Sequence, residues 1–157
     1  MGSHRAWRRL IVRNDITFSQ FHDVIQTAFK WEDSHLYHFE IGDDEIEIGS
    51  ELLETRLGER LEIGTKFKYV YDFGDNWEHD VVVERTIEGY STQHATCLDG
   101  EHPGPPEDVG GIPGYLEFLR IINDKNDPDH PHMKLWASLW KPEFDIVWVN
   151  RKLERLA

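Results

Sequence analysis

Two alternating runs enclose a five-residue connection between residues 66 and 84, and they constrain the fold more than any other feature. Over residues 66–71, Phe67, Tyr69 and Tyr71 fall on one face; over 77–84, Trp77, His79, Val81 and Val83 do the same. A period of two residues is that of a strand with one face buried. The connection, Asp72-Phe73-Gly74-Asp75-Asn76, is made of residues suited to tight turns. The segment is therefore expected as a β-hairpin.

Around it the pattern changes period. Residues 7–12 read as a short strand, and Asn14-Asp15-Ile16-Thr17 offers turn and N-cap chemistry. From Phe18, the spacing of Phe21, Val24, Ile25, Ala28 and Phe29 predicts a helix with one apolar face. Residues 36–41 alternate as a strand, Gly42-Asp43-Asp44 reads as a turn, and 45–48 as a returning strand. Residues 51–64 are acidic and less regular, with room for a short helix, while the Gly-, Pro- and acid-rich stretch 91–114 reads as a loop. Tyr115, Phe118, Leu119 and Ile122 predict a second helix, 127–131 a break, and 133–140 a short helix. Pro142 suits the first turn of a last helix whose shared face would be Phe144, Val147, Trp148 and Arg151. Helix, then strands, then helices favours an α+β fold over a parallel βαβ architecture. The expectation is a single compact domain over residues 5–157, a mainly antiparallel sheet packed against several helices. Its core would include Trp7, Phe21, Ile25, Phe39, Tyr69, Trp77, Val81, Phe118 and Trp148. Residues 1–4 read as a cloning scar or a truncated start and are set apart from the fold.

A chain of 157 residues can bury roughly 70% of its unfolded surface and needs no disulfide or metal merely to fold. Its one cysteine, Cys97, excludes an internal disulfide framework and points to a reducing compartment. No apolar run approaches the roughly 20 residues of a membrane span, and no signal-peptide core is present, so a cytoplasmic protein is expected. The net charge of −13 argues against general binding to phosphate backbones and favours cations or a basic protein partner. Two local basic groups remain: Arg5, Arg8, Arg9 and Arg13 near the N-terminus, and Arg151, Lys152 and Arg155 near the C-terminus. Ordinary surface charge is the blander reading of both.

Several stretches, in order, carry a resemblance. They are Trp7-Arg8-Arg9, Phe21-His22-Asp23-Val24-Ile25-Gln26 and Trp31-Glu32-Asp33-Ser34-His35-Leu36. The strongest is Tyr69-Val70-Tyr71-Asp72-Phe73-Gly74-Asp75-Asn76-Trp77-Glu78-His79, followed by Pro105-Pro106-Glu107-Asp108-Val109-Gly110-Gly111 and Gly114-Tyr115. Together they resemble the plasmid pRiA4b ORF-3-like family over nearly the whole chain. The resemblance implies a compact α+β fold in bacterial or archaeal proteins, some similar to passenger proteins of plasmids and insertion sequences, and it implies no established reaction. The chain departs from the family pattern in two places. Relatives usually carry another strand before the Trp-Arg-Arg stretch, and its absence would leave a strand edge open to association. Many also carry cysteines beside the Pro-Pro-Glu-Asp segment; here Gly104 and Val109 flank it, so a cysteine-based metal site would be incomplete.

Candidate chemistry centres on the hairpin. Asp72 and Asp75 flank Gly74, His79 follows on the next strand, and His35 precedes the strand at 36–41. Carboxylate oxygens with imidazole nitrogens suit a divalent metal. The blander reading has the Asp and Asn side chains bonding their own turn and His79 buried as a hydrogen-bonded core residue. His35 and His38 would face opposite sides of one strand, so they could share an ion only if His35 lies in the preceding turn. His22, on the apolar helix face, reads as a buried and satisfied histidine. Arg8, Arg9, Glu107 and Asp108 are candidate binding residues. Asp72-Phe73-Gly74 lacks the remaining kinase motifs, and the spacing of Gly110, Gly111 and Gly114 is neither Walker nor Rossmann. Cys97 could act as a nucleophile only beside a positioned base.

No complete catalytic constellation appears, and the leading expectation is a non-catalytic interaction module, accessory to a plasmid or mobile element, with a protein partner. The alternatives are a metal-dependent hydrolase or nuclease using the Asp/His cluster, and nucleic-acid binding through the N-terminal arginines.

Overall fold

The hairpin forms as expected and lies in a four-stranded antiparallel sheet of order β3-β2-β4-β5, with β2 Tyr37–Ile41, β3 Asp44–Glu47, β4 Lys66–Tyr71 and β5 Trp77–Val82. Residues 5–156 of the chain are described here, from a computed structural model; the set-apart residues 1–4 lie outside them. Register pairs Tyr69 with His79 and Phe39 with Tyr69, so inward-facing aromatics from three strands lie side by side. The β2–β4 alignment continues past the strand end, where the Asp72 amide donates to the Leu36 carbonyl at 2.9 Å. This brings the residue before Leu36 level with the hairpin connection.

Helix α1, Phe18–Phe29, covers one face of this sheet. Its Phe18 meets Phe39 edge-on at 5.3 Å, and its Phe21 stacks on Phe39 at 6.0 Å. Each such ring contributes about 2 kcal/mol by leaving water. Thr17 caps the helix through a reciprocal box: its Oγ1 accepts from the Gln20 amide at 3.1 Å, and Gln20 Oε1 accepts from the Thr17 amide at 2.9 Å. Replacing Thr17 by Ala is expected to lower the unfolding free energy by about 1 kcal/mol, read as an earlier urea midpoint with unchanged slope. The helix ends at Lys30 in left-handed backbone, φ 60°, with the Trp31 amide bonded back to the Gln26 carbonyl.

A second, two-stranded sheet pairs β1, Trp7–Ile11, with β6, Thr96–Glu101. Strand β6 corrects the expectation of loop throughout 91–114. Its sequence, Thr-Cys-Leu-Asp-Gly-Glu, has little strand propensity, and partners distant in sequence hold it extended. Asn150 completes it from the other side: its side-chain carbonyl accepts from the Cys97 amide at 2.7 Å and its amide donates to the Cys97 carbonyl at 2.9 Å.

The remaining helices are α2 Leu57–Arg60, α3 Gly111–Ile122, α4 His130–Trp136 and α5 Ile146–Leu153, with a 3₁₀ turn at Glu51–Glu54. Tyr115 of α3 meets Trp77 edge-on at 6.3 Å, tying the helical layer to β5. Three helix expectations shift. Helix α3 begins at Gly111, four residues ahead of Tyr115. Helix α4 starts before Pro131, because proline is tolerated where no intrahelical donor is needed. Pro142 stays outside α5; Asp145 caps it instead, accepting from the Trp148 amide at 3.0 Å. Its buried face is Val149 and Leu153, with Val147 more than half exposed, so the expected face was out of phase. Of the expected core, Phe21, Ile25, Phe39, Tyr69, Trp77 and Phe118 are buried, whereas Trp7, Val81 and Trp148 are half-buried. No helix among the described residues is long and apolar enough to cross a membrane.

Candidate metal centre

His35 lies in the turn before β2, the position from which it can reach the hairpin connection. Its Nε2 faces three carboxylates: Asp108 Oδ1 at 2.8 Å, Asp72 Oδ2 at 3.6 Å and Glu107 Oε2 at 3.8 Å. The nitrogen is itself shielded from solvent, yet none of these contacts has hydrogen-bond geometry, the 2.8 Å approach included. Ligand atoms of His35, Asp72 and Glu107 all lie within 4.8 Å of one another. Two donors bound 2.0–2.2 Å from one tetrahedral ion would sit about 3.4 Å apart. The separations of Asp72 and Glu107 from His35 are close to that value.

Each carboxylate is held by its own element. Asp72 directly follows β4 in left-handed backbone, φ 61°, a conformation that Asp tolerates better than most residues. Its Oδ1 accepts from the Gly74 and Asp75 amides at 3.1 and 3.3 Å, which leaves Oδ2 facing His35. The turn reading and the ligand reading of Asp72 thus use different oxygens. Glu107 accepts from the Tyr71 hydroxyl at 2.9 Å and from the Glu32 amide at 3.0 Å. Burial pushes the Glu107 carboxyl above its usual range, and burial likewise pushes the Tyr71 phenol up, so the phenol keeps its proton and donates. The Trp31 indole fixes the same segment by donating to the Pro105 carbonyl at 3.1 Å.

The four proposed metal residues do not converge as one set. His35 and Asp72 come together, joined by Glu107 and Asp108. Asp75 Oδ2 instead accepts from the Gly110 amide at 3.1 Å, which ties the hairpin connection to the start of α3. His79 lies inside the sheet, its Nδ1–H donating to the Tyr69 carbonyl at 3.0 Å beneath Phe29 and Trp31. Burial of the ring lowers its pKa to about 4, so this half-buried imidazole is neutral near pH 7. Sequence reasoning missed Tyr71, which orients Glu107; the available signal was a phenol at a strand end beside an acidic loop, whose hydroxyl requires a partner.

His22 and His38 lie elsewhere. His22 is buried and stacked on Tyr37; its Nδ1 accepts from the Tyr69 hydroxyl at 2.6 Å and its Nε2–H donates to Asp33 at 2.7 Å. Asp23 and Asp33 gather round it, but both are exposed and the imidazole already has two partners. His38 contacts Glu45 at 3.2 Å on the opposite side of β2 from Phe39.

The N-terminal arginines are engaged within the fold. The Arg9 side chain pairs with Glu84 at 3.0 Å, and Arg13 pairs with Asp15 at 2.6 Å. Arg8 turns inward, donating to the carbonyls of Ala28, Trp7 and Glu101 at 2.8, 2.8 and 3.1 Å. Its guanidinium lies 4.6 Å from the Phe29 ring centre and 4.0 Å from that of Phe144, and burial lowers its pKa to about 10. Cys97 is buried and its thiol is pushed up by desolvation, the reverse of nucleophile activation.

Comparison with known proteins assigns this architecture. The model of the plasmid pRiA4b ORF-3-like protein family matches residues 2–153. The chain belongs to that family. It is 39% identical over 154 residues to the uncharacterised protein y4hQ of Sinorhizobium fredii, covering 91% of this chain and 78% of that protein. It is also similar to the crystal structure of a protein of unknown function, MM3350, from Methanosarcina mazei Go1. There the TM-score is 0.78 at 32% identity, over 90% of this chain and 88% of the other. Three of the stretches that carry the family resemblance, around Trp31–His35, Tyr71–Asp75 and Pro105–Gly111, meet at the His35 cluster.

Proposed function

We propose that His35, Asp72 and Glu107 bind a divalent cation and that the domain works as a metal-dependent hydrolase. The observation that carries this reading is the solvent-shielded His35 Nε2, which makes no hydrogen bond although three carboxylates converge on it. One imidazole with two carboxylates suits borderline zinc or, through its oxygen donors, the harder manganese. Such an ion, bound, would polarise an oxygen or activate water. Asp108 is largely exposed beside the cluster and would be placed to accept a proton from that water. A role inside the cell is consistent with Cys97 being a free, buried thiol.

Metal content of tag-free protein, measured by mass spectrometry against a chelator-treated control, tests the proposal. The expected result is near-stoichiometric metal, restored by replenishment. His35→Ala and Glu107→Gln should weaken it about 100-fold, Tyr71→Phe about tenfold through lost orientation, and Asp75→Ala should leave it unchanged. Failure of the wild type to retain zinc or manganese after replenishment would overturn the metal site. Full turnover by metal-free protein would overturn the hydrolytic part.

A second reading, an interaction module accessory to a mobile element, is favoured by one observation. Helix α4 and its C-terminal extension expose Leu135, Trp136 and Leu139, with Leu139 85% accessible. Specific capture of a basic protein partner, abolished by Leu135→Ser with Leu139→Ser, is the result this reading expects.

A further inference from the structure

Arg8 is distinguished by where it lies: its guanidinium turns into the fold, between two aromatic rings, with no carboxylate of the described residues against it. Arg9, Arg13, Arg60 and Arg120 each meet a carboxylate within 4 Å. Arg8 meets none among the described residues. Its partners are three backbone carbonyls and two ring faces, which orient a guanidinium without neutralising it. Leaving a half-buried cation without an anion is costly unless something else supplies the charge.

Arg8 also lines a cleft of about 300 Å³. Phe29, Phe144, Trp136 and Trp140 give the cleft apolar aromatic walls. One wall, the Pro103–Pro106 segment, is pinned by two indoles: Trp31 donates to Pro105 and Trp140 to Gly104, the latter at 3.0 Å. A Cβ on Gly104 would come within 2.4 Å of the Phe29 carbonyl oxygen, so this wall is packed against the end of α1. At the other side of the segment, Glu107 and Asp108 line both the cleft and the His35 cluster.

The geometry points to this cleft as the binding site for a small organic monocarboxylate, its carboxylate paired with Arg8 and its apolar body against the aromatic walls. The Nε–H and both Nη1 hydrogens of Arg8 already go to the three carbonyls, so the ligand's carboxylate would accept a charge-assisted hydrogen bond from Nη2. The charge around it selects against more highly charged anions. Arg8, Lys30 and Lys141 supply three cations, whereas Glu32, Glu107, Asp108, Glu143 and Asp145 supply five acidic groups. A dianion such as a phosphate monoester would meet a lining with a net excess of negative charge; a monoanion with an apolar body leaves that excess at a distance. The volume is at the low end for ligand pockets, which limits the ligand to a small one. The proposal deepens the hydrolase reading by naming a substrate class, yet carboxylate binding to Arg8 requires no metal.

The test uses chelator-treated, isotope-labelled protein and follows the indole N–H resonances of Trp136 and Trp140 by NMR. Metal-free protein is chosen so that failure of the metal site and failure of this site are read separately. Titration with 3-phenylpropionate should give saturable shifts at these indoles. The neutral amide of the same acid should bind at least about tenfold more weakly, and phenyl phosphate should also bind more weakly than the carboxylate. Arg8→Met should abolish the preference for acid over amide. Because that variant removes three hydrogen bonds and is at risk of unfolding, the amide comparison on wild-type protein is the primary readout. Equal binding of acid and amide, tighter binding of phenyl phosphate, or no saturable shift at millimolar ligand would each overturn the assignment.

Discussion

Acidification from pH 7 to pH 4 should remove about 3 kcal/mol of native stability through His79 alone. The ring is enclosed by Phe29, Trp31 and Tyr69, and its Nδ1–H is already committed to the Tyr69 carbonyl. Burial lowers its pKa from 6.5 to about 4; the nearby Asp80 carboxylate only partly opposes this. In the unfolded chain the same imidazole takes up a proton near pH 6.5. Between these values the unfolded state binds a proton that the folded state refuses, so stability falls as pH falls. Below about pH 4 both states are protonated and the loss levels off. His22, also lowered by burial although Asp33 and Asp23 oppose it, adds a loss of the same sign. Urea unfolding of wild type and His79→Gln between pH 4 and 7 isolates the contribution. The variant is less stable at neutral pH and should show a shallower pH dependence. Parallel curves for the two proteins would refute the assignment of His79 as a residue held neutral by the fold.

Replacing Gly114 by Ala should cost about 3 kcal/mol, the upper range for forcing atoms into a packed site. A Cβ there would lie 2.1 Å from the Val109 carbonyl oxygen and 2.9 Å from its carbon. Both obstacles are backbone, so neither can swing aside. The clash would push the 105–111 segment away from the first turn of α3, and that segment carries Glu107 and Asp108. Loss of stability should therefore be accompanied by weakened metal retention. Gly42→Ala is the control: its Cβ meets nothing within 4 Å, and only the left-handed backbone, φ 58°, resists it. That strain alone is about 1 kcal/mol. Comparable thermal midpoints for the two variants would remove the packing argument for Gly114.

The strands and helices that were legible in advance share one property: their pattern is local. Phe67, Tyr69 and Tyr71 alternate because β4 buries one face, and Phe21, Val24, Ile25 and Ala28 repeat because α1 lies on a sheet. The Asx-type turn at Asp72 was equally readable, since its donors are two and three residues away. Strand β6 was not readable, because Thr-Cys-Leu-Asp-Gly-Glu becomes a strand only beside β1, almost ninety residues earlier in the chain. The phase of α5 was lost for a related reason. Asn150 belongs to its inward side through two bonds to Cys97, a polar contact invisible to an apolar count.

The candidate site divides along the same line. The sequence by itself determined the hairpin and the residue types able to hold a cation, which depend on spacing within one segment, the α+β class, which follows from the order of elements, and the family, through its resemblance in several ordered stretches. Only the tertiary structure decided which of those residues meet. Continuation of the β2–β4 pairing past Leu36 sets His35 against Asp72, and the Tyr71 hydroxyl draws in Glu107 from a segment more than thirty residues away. The β4–β5 pairing sets His79 beside Tyr69 under Phe29 and Trp31, and the start of α3 takes Asp75. Proximity across segments is fixed by strand register and by where long connections pack, and neither leaves a periodic trace in the residues it brings together.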